Sequence, residues 1–149
     1  AGCQLVDSCD LAVAGTSAKF ATPGVNIGLF CSTPMVALSR NISRKHAMRM
    51  LLTGDPINAE TAHSMGLVSD VAEDDDLTDA TTTLARGIAA RSGMTVQTGK
   101  QAFYKQLEMP LSDAYAYASS VMTGNMQKHD AREGIGAFVE KRHPTWRHE

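Results

Sequence analysis

The stretch that decides the fold is AGCQLVDSCDLAVAGTSAKFATPGVNIGLFCSTP, residues 1–34. It reads as a short helix over 2–8 with Leu5 and Val6 facing inward, then an apolar run, DLAVAG, over 10–15. A run of that length ending in a turn glycine is the mark of a strand buried on both faces. Thr16 and Ser17 make a turn. A second strand runs from 19 to 22 and stops at Pro23-Gly24. The apolar loop 24–31 follows, with Gly24 and Gly28 suited to positive φ. Ser32-Thr33-Pro34 then opens a helix over 34–40, with hydroxyls as caps and proline in the first turn.

Outward from this stretch, local signals set the next elements. Ser43 caps a helix over 44–53 with an apolar stripe of Ala47, Met48, Leu51 and Leu52, and Gly54 stops it. Asn58 caps a helix over 59–65 that ends at Gly66. Residues 67–72 form a further strand. The acidic run 73–76 reads as the charged start of the helix that follows, favoured there by the helix dipole. From there the chain is almost all helix, over 77–91, 94–108, 111–128 and 130–141. Leu77, Ala80, Leu84 and Ile88 make one stripe, Tyr115, Ala118, Met122 and Met126 another, and Ile135, Phe138 and Val139 a third. The tail 142–149 is basic and polar with a single Trp146. Two regions result, 1–72 with mixed strands and helices and 73–149 nearly all helical, so the fold class is α/β.

Composition excludes several functions. The 149 residues carry a net charge of -2, and no basic run exceeds Arg44-Lys45-His46. A nucleic-acid partner is not expected, since a binding face must offset many phosphates. No apolar run reaches a membrane span. Cys3, Cys9 and Cys31 lack CxxC spacing, which fits a reducing compartment. Cys3 and Cys9 read as core packing, and Cys31 as a small buried hydrophobe. The five histidines show no metal-ligand spacing and read as helix-surface residues. No metal site is therefore expected. The chain opens without Met on a small-residue pair, which reads as a cut through a motif.

The residues resemble a known family. GCQLVDSCDLAVAGTSAKFATPGVNIGLF, then LTGDPI with Ala59, Ala62 and Gly66-Leu67-Val68, then Arg132-Glu133-Gly134, then AFVEKR at 137–142 follow in order the pattern of the crotonase, or enoyl-CoA hydratase/isomerase, superfamily. The phrase GLFCSTP looks like that superfamily's domain-containing protein 3 branch.

The resemblance implies the C-terminal part of a ββα spiral, followed by a helical region that builds a homotrimer or dimer of trimers. It implies an acyl-CoA thioester as substrate, with coenzyme A carried on the substrate and no separate cofactor. Two backbone amides would hold the thioester oxygen. One falls on Ala1, next to Gly2, and the other lies upstream. Preorganised amides stabilise the charge that gathers on such an oxygen.

The family's hydratases use two glutamates, and their positions here are Gln4 and Gly24. Neither can exchange a proton as general acid–base catalysis requires. The acid of the family's dienoyl isomerases falls on Ser32. Asp7 is the nearest carboxylate to Gln4 in sequence, on another part of the helix surface. Pro23, Leu29, Phe30, Cys31 and Ser32 would line the acyl pocket. Phe138 and Lys141 would reach a neighbouring subunit's CoA, the lysine meeting phosphate. The expectation is an acyl-CoA protein that is not an efficient hydratase; the alternatives are a non-catalytic acyl-CoA binder or a structural subunit of mixed trimers. The compartment would be the cytoplasm in a bacterium and the mitochondrion in a eukaryote.

Overall fold

The computed structural model describes residues 2–149. They divide into two compact units, one reaching Thr83 and the other Leu84–Glu149.

The first unit holds all the strands. Helix α1 (Gly2–Asp7) leads into β1 (Val13–Gly15), and β2 (Lys19–Phe20) follows a tight turn. Then come α2 (Ser32–Asn41), α3 (Arg44–Thr53), β3 (Ile57–Asn58), α4 (Ala59–Met65) and β4 (Asp70–Ala72). β1 pairs in parallel with β4, Ala14 opposite Val71, while β2 pairs antiparallel with β3, Phe20 opposite Ile57. The parallel pair spans most of the unit in sequence and closes it around one core. Leu38, Met50 and Leu51 are among its most buried side chains, with Ala59 and Ala62 of α4 packed alongside. Small residues at 59 and 62 let α4 sit close to the sheet, and each buried leucine is worth roughly 1.5–3 kcal/mol of transfer free energy.

Local chemistry explains the helix ends. The Ser43 hydroxyl accepts the His46 N–H and the Asn58 carboxamide oxygen accepts the Thr61 N–H at 2.8 Å, each satisfying an otherwise orphaned helical donor. Gly54 and Gly66 end their helices at φ 68° and 84°. The acidic run does more than start a helix. Glu73 accepts the Thr16 hydroxyl and Asp74 accepts the Ser17 N–H at 3.1 Å, so it clamps the turn between β1 and β2.

Several expectations are corrected. Leu5 is exposed, and Val6 alone of that pair packs on the core. The residue of the α3 stripe that goes inside is Met50 with Ala47 and Leu51, a spacing of i, i+3, i+4; Met48 and Leu52 are exposed. The loop after Pro23 contains a 3-10 turn, Pro23–Ile27, and only Gly28 of its two glycines takes positive φ. α2 begins at Ser32 without a hydroxyl cap, because Ser32 turns its hydroxyl back to the Phe30 carbonyl. The last strand is shorter than expected, because the Leu67 N–H still closes α4 on the Ala62 carbonyl at 2.8 Å and pairing begins only at Asp70. Cys9 is exposed rather than a core residue.

The second unit is helical. α5 (Leu77–Ala89) crosses into it and is followed by α6 (Gly93–Leu107), α7 (Leu111–Met126) and α8 (His129–Glu140). The basic and polar tail is strapped down. Asp130, 2% exposed, accepts the Arg147 and His148 N–H groups at 2.8 and 2.9 Å. Burial alone would push its carboxyl up. The Ser92 hydroxyl, the two backbone donors and His129 outweigh that and hold it well below the usual carboxylate range. Trp146 donates its ring N–H to the Ala90 carbonyl and lies over Gly134, and His148 Nδ1 accepts the Gly93 N–H. His148 is thus a cap for α6, not a loose surface histidine. The apolar stripes of α7 and α8 lie outside this unit's core: Tyr115, Met122, Met126, Ile135, Phe138 and Val139 are all more than half exposed.

Gly54 carries a testable consequence. It has positive φ, and a Cβ there would meet Asn26, Val25 and Pro23 at 3.1–3.2 Å. Gly54→Ala is expected to lose about 1–3 kcal/mol in urea unfolding, from the left-handed backbone and the crowding together.

Candidate active site

Two segments of the first unit supply the residues that the sequence singles out. The first is α1. Gln4 is half-buried there, its carbonyl accepting the Ser8 N–H and hydroxyl, and its side-chain amide makes no hydrogen bond among the described residues. Gly2 is exposed, and Ala1 lies outside the described residues.

The second segment is the loop 23–32. Pro23 starts the 3-10 turn, and Gly28 at φ 77° reverses the chain. The Leu29 N–H then closes back onto the Gly24 carbonyl at 2.9 Å. The Gly24 N–H is directed at the Cys31 sulfur at 3.3 Å. Cys31 is thus half-buried and is an acceptor for the loop's own backbone, a role beyond that of a simple buried hydrophobe. Leu29 and Phe30 are exposed, 64% and 42%, and form an apolar rim with Ser32 at its edge.

Gly24 is required by this geometry. A Cβ at that position would stand 2.6 Å from the Leu29 carbonyl oxygen and 2.8 Å from the Cys31 sulfur. Neither can move away cheaply, since one is backbone and the other is held by the Gly24 N–H. The residue type at 24 and the closure of the loop are therefore one fact. No carboxylate side chain fits there with the loop as folded.

The core joins the two segments, because Cys3 of α1 and Cys31 of the loop pack against the same buried cluster. Burial, with the Asp7 carboxylate beside it, pushes the Cys3 thiol up to about 11, so it is a neutral S–H at physiological pH. That thiol lies 3.8 Å from Asp7 Oδ2. Asp7 is 5% exposed, and its other carboxyl oxygen is buried with no hydrogen-bond partner among the described residues. Burial pushes its carboxyl up to about 6, against a smaller downward pull from Cys3. Asp7 lines a cleft of about 210 Å³ with Asp10, Asn41, Leu67 and Ser69 among others, and none of Gln4, Gly24, Leu29, Phe30, Cys31 or Ser32 lines it. The buried carboxylate thus borders a space separate from the 23–32 loop. Asp7 is therefore buried, not on the helix surface where the sequence reading puts it.

Phe138 and Lys141 belong to the second unit. Phe138 is 83% exposed, so it is not a core residue. Lys141 is exposed and terminates α8 with φ 55°. Among the described residues no group of His, Cys, Asp and Glu is arranged to hold a metal ion, and no helix is long and apolar enough to cross a membrane.

Comparison with known proteins fits this architecture. The family model described as enoyl-CoA hydratase/isomerase matches residues 1–149, and the chain belongs to that family, the crotonase superfamily. Within it the chain falls with the enoyl-CoA hydratase domain-containing protein 3 branch, in keeping with the phrase GLFCSTP. It is 53% identical over 148 residues to the mitochondrial enoyl-CoA hydratase domain-containing protein 3 of Rattus norvegicus, covering 99% of this chain and 49% of that protein. The crystal structure of the human domain-containing protein 3 superposes with a TM-score of 0.93 at 52% identity, covering 97% of this chain and 57% of that one. An enoyl-CoA hydratase structure from Mycobacterium smegmatis gives a TM-score of 0.94 at 48% identity, over 97% of this chain and 56% of that one. The fold is therefore the crotonase fold, and the chain spans about half the length of the curated relatives it matches.

Asp7 yields a pH prediction. Its native carboxyl holds a proton more tightly than the unfolded one, about 6 against 3.8, so protonation favours the folded state. That contribution is complete below about pH 4 and is lost as pH rises through about 6. Asp7→Asn, which never ionises, is expected to be more stable than the parent at pH 7.5 by up to roughly 3 kcal/mol. Denaturation at pH 7.5 and pH 4 should show the gain at the higher pH and little or none at the lower.

Proposed function

We propose that the protein binds an acyl-CoA thioester and is a poor enoyl-CoA hydratase. The observation that carries this reading is the closed turn at Gly24, which leaves no room for a carboxylate at the second glutamate position of the family. Gln4 stands at the first. Its amide can orient a water or the substrate by hydrogen bonds but cannot take up or release a proton near neutral pH.

What remains is electrostatic. In this reading two backbone amides, one at Ala1, polarise the thioester carbonyl, and fixed amides stabilise developing negative charge without reorganising. Gly2, Pro23, Leu29, Phe30, Cys31 and Ser32 shape the acyl side. Phe138 and Lys141 meet the CoA of a neighbouring subunit, the ammonium resting on phosphate. Coenzyme A enters with the substrate, and the reading calls for no separate cofactor. The relatives' family names and two whose names specify CoA thioesters, (E)-benzylidenesuccinyl-CoA hydratase and 2,3-dehydroadipyl-CoA hydratase, support the ligand class. The relatives named as mitochondrial support that compartment for a eukaryotic source; a bacterial one would place it in the cytoplasm.

A second reading, a structural subunit of mixed trimers, is favoured by one observation. The apolar stripes of α7 and α8 are uncovered within their own unit, and exposed apolar area on this scale marks interaction surfaces.

The test is crotonyl-CoA hydration by the full-length protein carrying this sequence. Turnover is expected to fall well below the range of about 1–1000 per second typical of enzymes, while CoA esters still raise its melting temperature. Turnover inside that range would overturn the poor-hydratase reading, and absence of any CoA-dependent stabilisation would overturn the ligand class. Gln4→Glu with Gly24→Glu is expected not to restore hydration, because the new Cβ at 24 must open the loop that carries Leu29 to Ser32.

A further inference from the structure

The end of α8 is built unusually. Lys141 occupies the left-handed position that closes a helix, φ 55° and ψ 39°, which glycine normally takes because it has no Cβ to crowd. The Lys141 N–H bonds back to Phe138 and the Arg142 N–H to Ala137 at 3.0 Å, a Schellman-type closure with lysine where glycine is expected. The residue that follows supplies a reason for the reversal to persist. Arg142 folds back along the helix it has just left. Its guanidinium takes both oxygens of Glu133, at 2.6 and 2.9 Å, and one oxygen of Glu140 at 2.6 Å. Glu133 also accepts the Thr145 N–H at 2.8 Å, so the far side of the reversal is pinned as well. Hydrogen bonds from Arg142 and then Thr145 hold the Glu133 carboxyl down at about 2, so the clamp is charged across the physiological range.

We propose that Arg142 is a positioning residue for Lys141. By bridging Glu133 and Glu140 it fixes the left-handed turn at 141 and so sets the direction in which the Lys141 ammonium leaves the helix toward the phosphates of CoA. The inference rests on the reading of Lys141 as a phosphate contact given above, and it adds the residues that aim it. The bidentate fork is essential to the argument. A lysine at 142 keeps the charge but presents a point donor that cannot span two carboxylates in this way.

The experiment measures CoA affinity of the full-length protein by calorimetry for the parent, Lys141→Ala, Lys141→Gly, Arg142→Lys and the double variant Lys141→Ala/Arg142→Lys. Lys141→Gly keeps the turn but removes the ammonium, and it is expected to weaken CoA as much as Lys141→Ala, about tenfold, or about 1.4 kcal/mol. Arg142→Lys is expected to weaken CoA severalfold in the parent and to add nothing in the Lys141→Ala background. That non-additivity is the signature of acting through Lys141, and a general loosening of the helix end would not produce it. If Arg142→Lys weakens CoA equally in both backgrounds, or leaves the parent unchanged while Lys141→Ala weakens it, the positioning role is overturned and the phosphate contact stands. If neither Lys141 variant changes affinity, the phosphate contact itself falls and the positioning role falls with it.

Discussion

A carbonyl oxygen standing 2.6 Å from where a Cβ would lie on residue 24 is the constraint from which the candidate site follows. The loop 23–32 closes by bringing Leu29 back over Gly24, and Cys31 fills the remaining side. The same closure aligns Leu29 and Phe30 as an apolar rim and sets Ser32 at the start of α2. It also presses Val25 and Asn26 against Gly54 at the end of α3, so two glycines far apart in sequence are required by one packing arrangement. A side chain at either position works against the whole assembly. With the loop closed in this way, position 24 has no room for a side chain.

The two units hold charge in opposite ways, and the contrast is instructive. Asp7 and Asp130 are nearly equally buried. Asp130 is surrounded by donors and stays ionised, acting as the hub that binds the tail to α6 and α8. Asp7 has a weak thiol donor on one oxygen and, among the described residues, nothing on the other, and its ionised form is disfavoured. Burial alone decides neither outcome; the number of donors does. A fully donor-satisfied carboxylate organises structure, while an under-satisfied one is retained at a cost in stability near neutral pH.

Much of this was legible in the sequence where the cause is local. Ser43 with His46, Asn58 with Thr61, and the glycines at 54 and 66 mark helix ends because the relevant hydrogen bonds and backbone angles lie within a few residues. The family pattern located the crotonase fold. Signals that depend on distant partners were not legible. The α3 stripe holds at Ala47 and Leu51 but takes in Met48 and Leu52 where Met50 is the buried neighbour, because all three are apolar and only the position of the core distinguishes them. The closure of Gly24 depends on Leu29 and Cys31, and the tail on Asp130, Ala90 and Gly93. No periodicity encodes such contacts. The acidic run at 73–76 showed its helix-start role but not its grip on Thr16 and Ser17, which are distant in sequence.

The strap of the tail over the helical unit has a consequence for the order of events during synthesis. The contacts of Trp146 with Ala90 and of His148 with Gly93 join residues more than fifty positions apart. The buried Asp130 carboxylate takes its backbone donors from Arg147 and His148. α6, α7 and α8 can therefore emerge from the ribosome and pair locally, but the unit cannot complete these hydrogen bonds until residues 146–148 have cleared the exit tunnel. Until then a buried carboxylate and the first turn of α6 stay short of partners, beside helices whose apolar faces are already exposed. That interval, set by the sequence separation of these contacts and the rate of translation, is when this half is most open to association with the wrong neighbour.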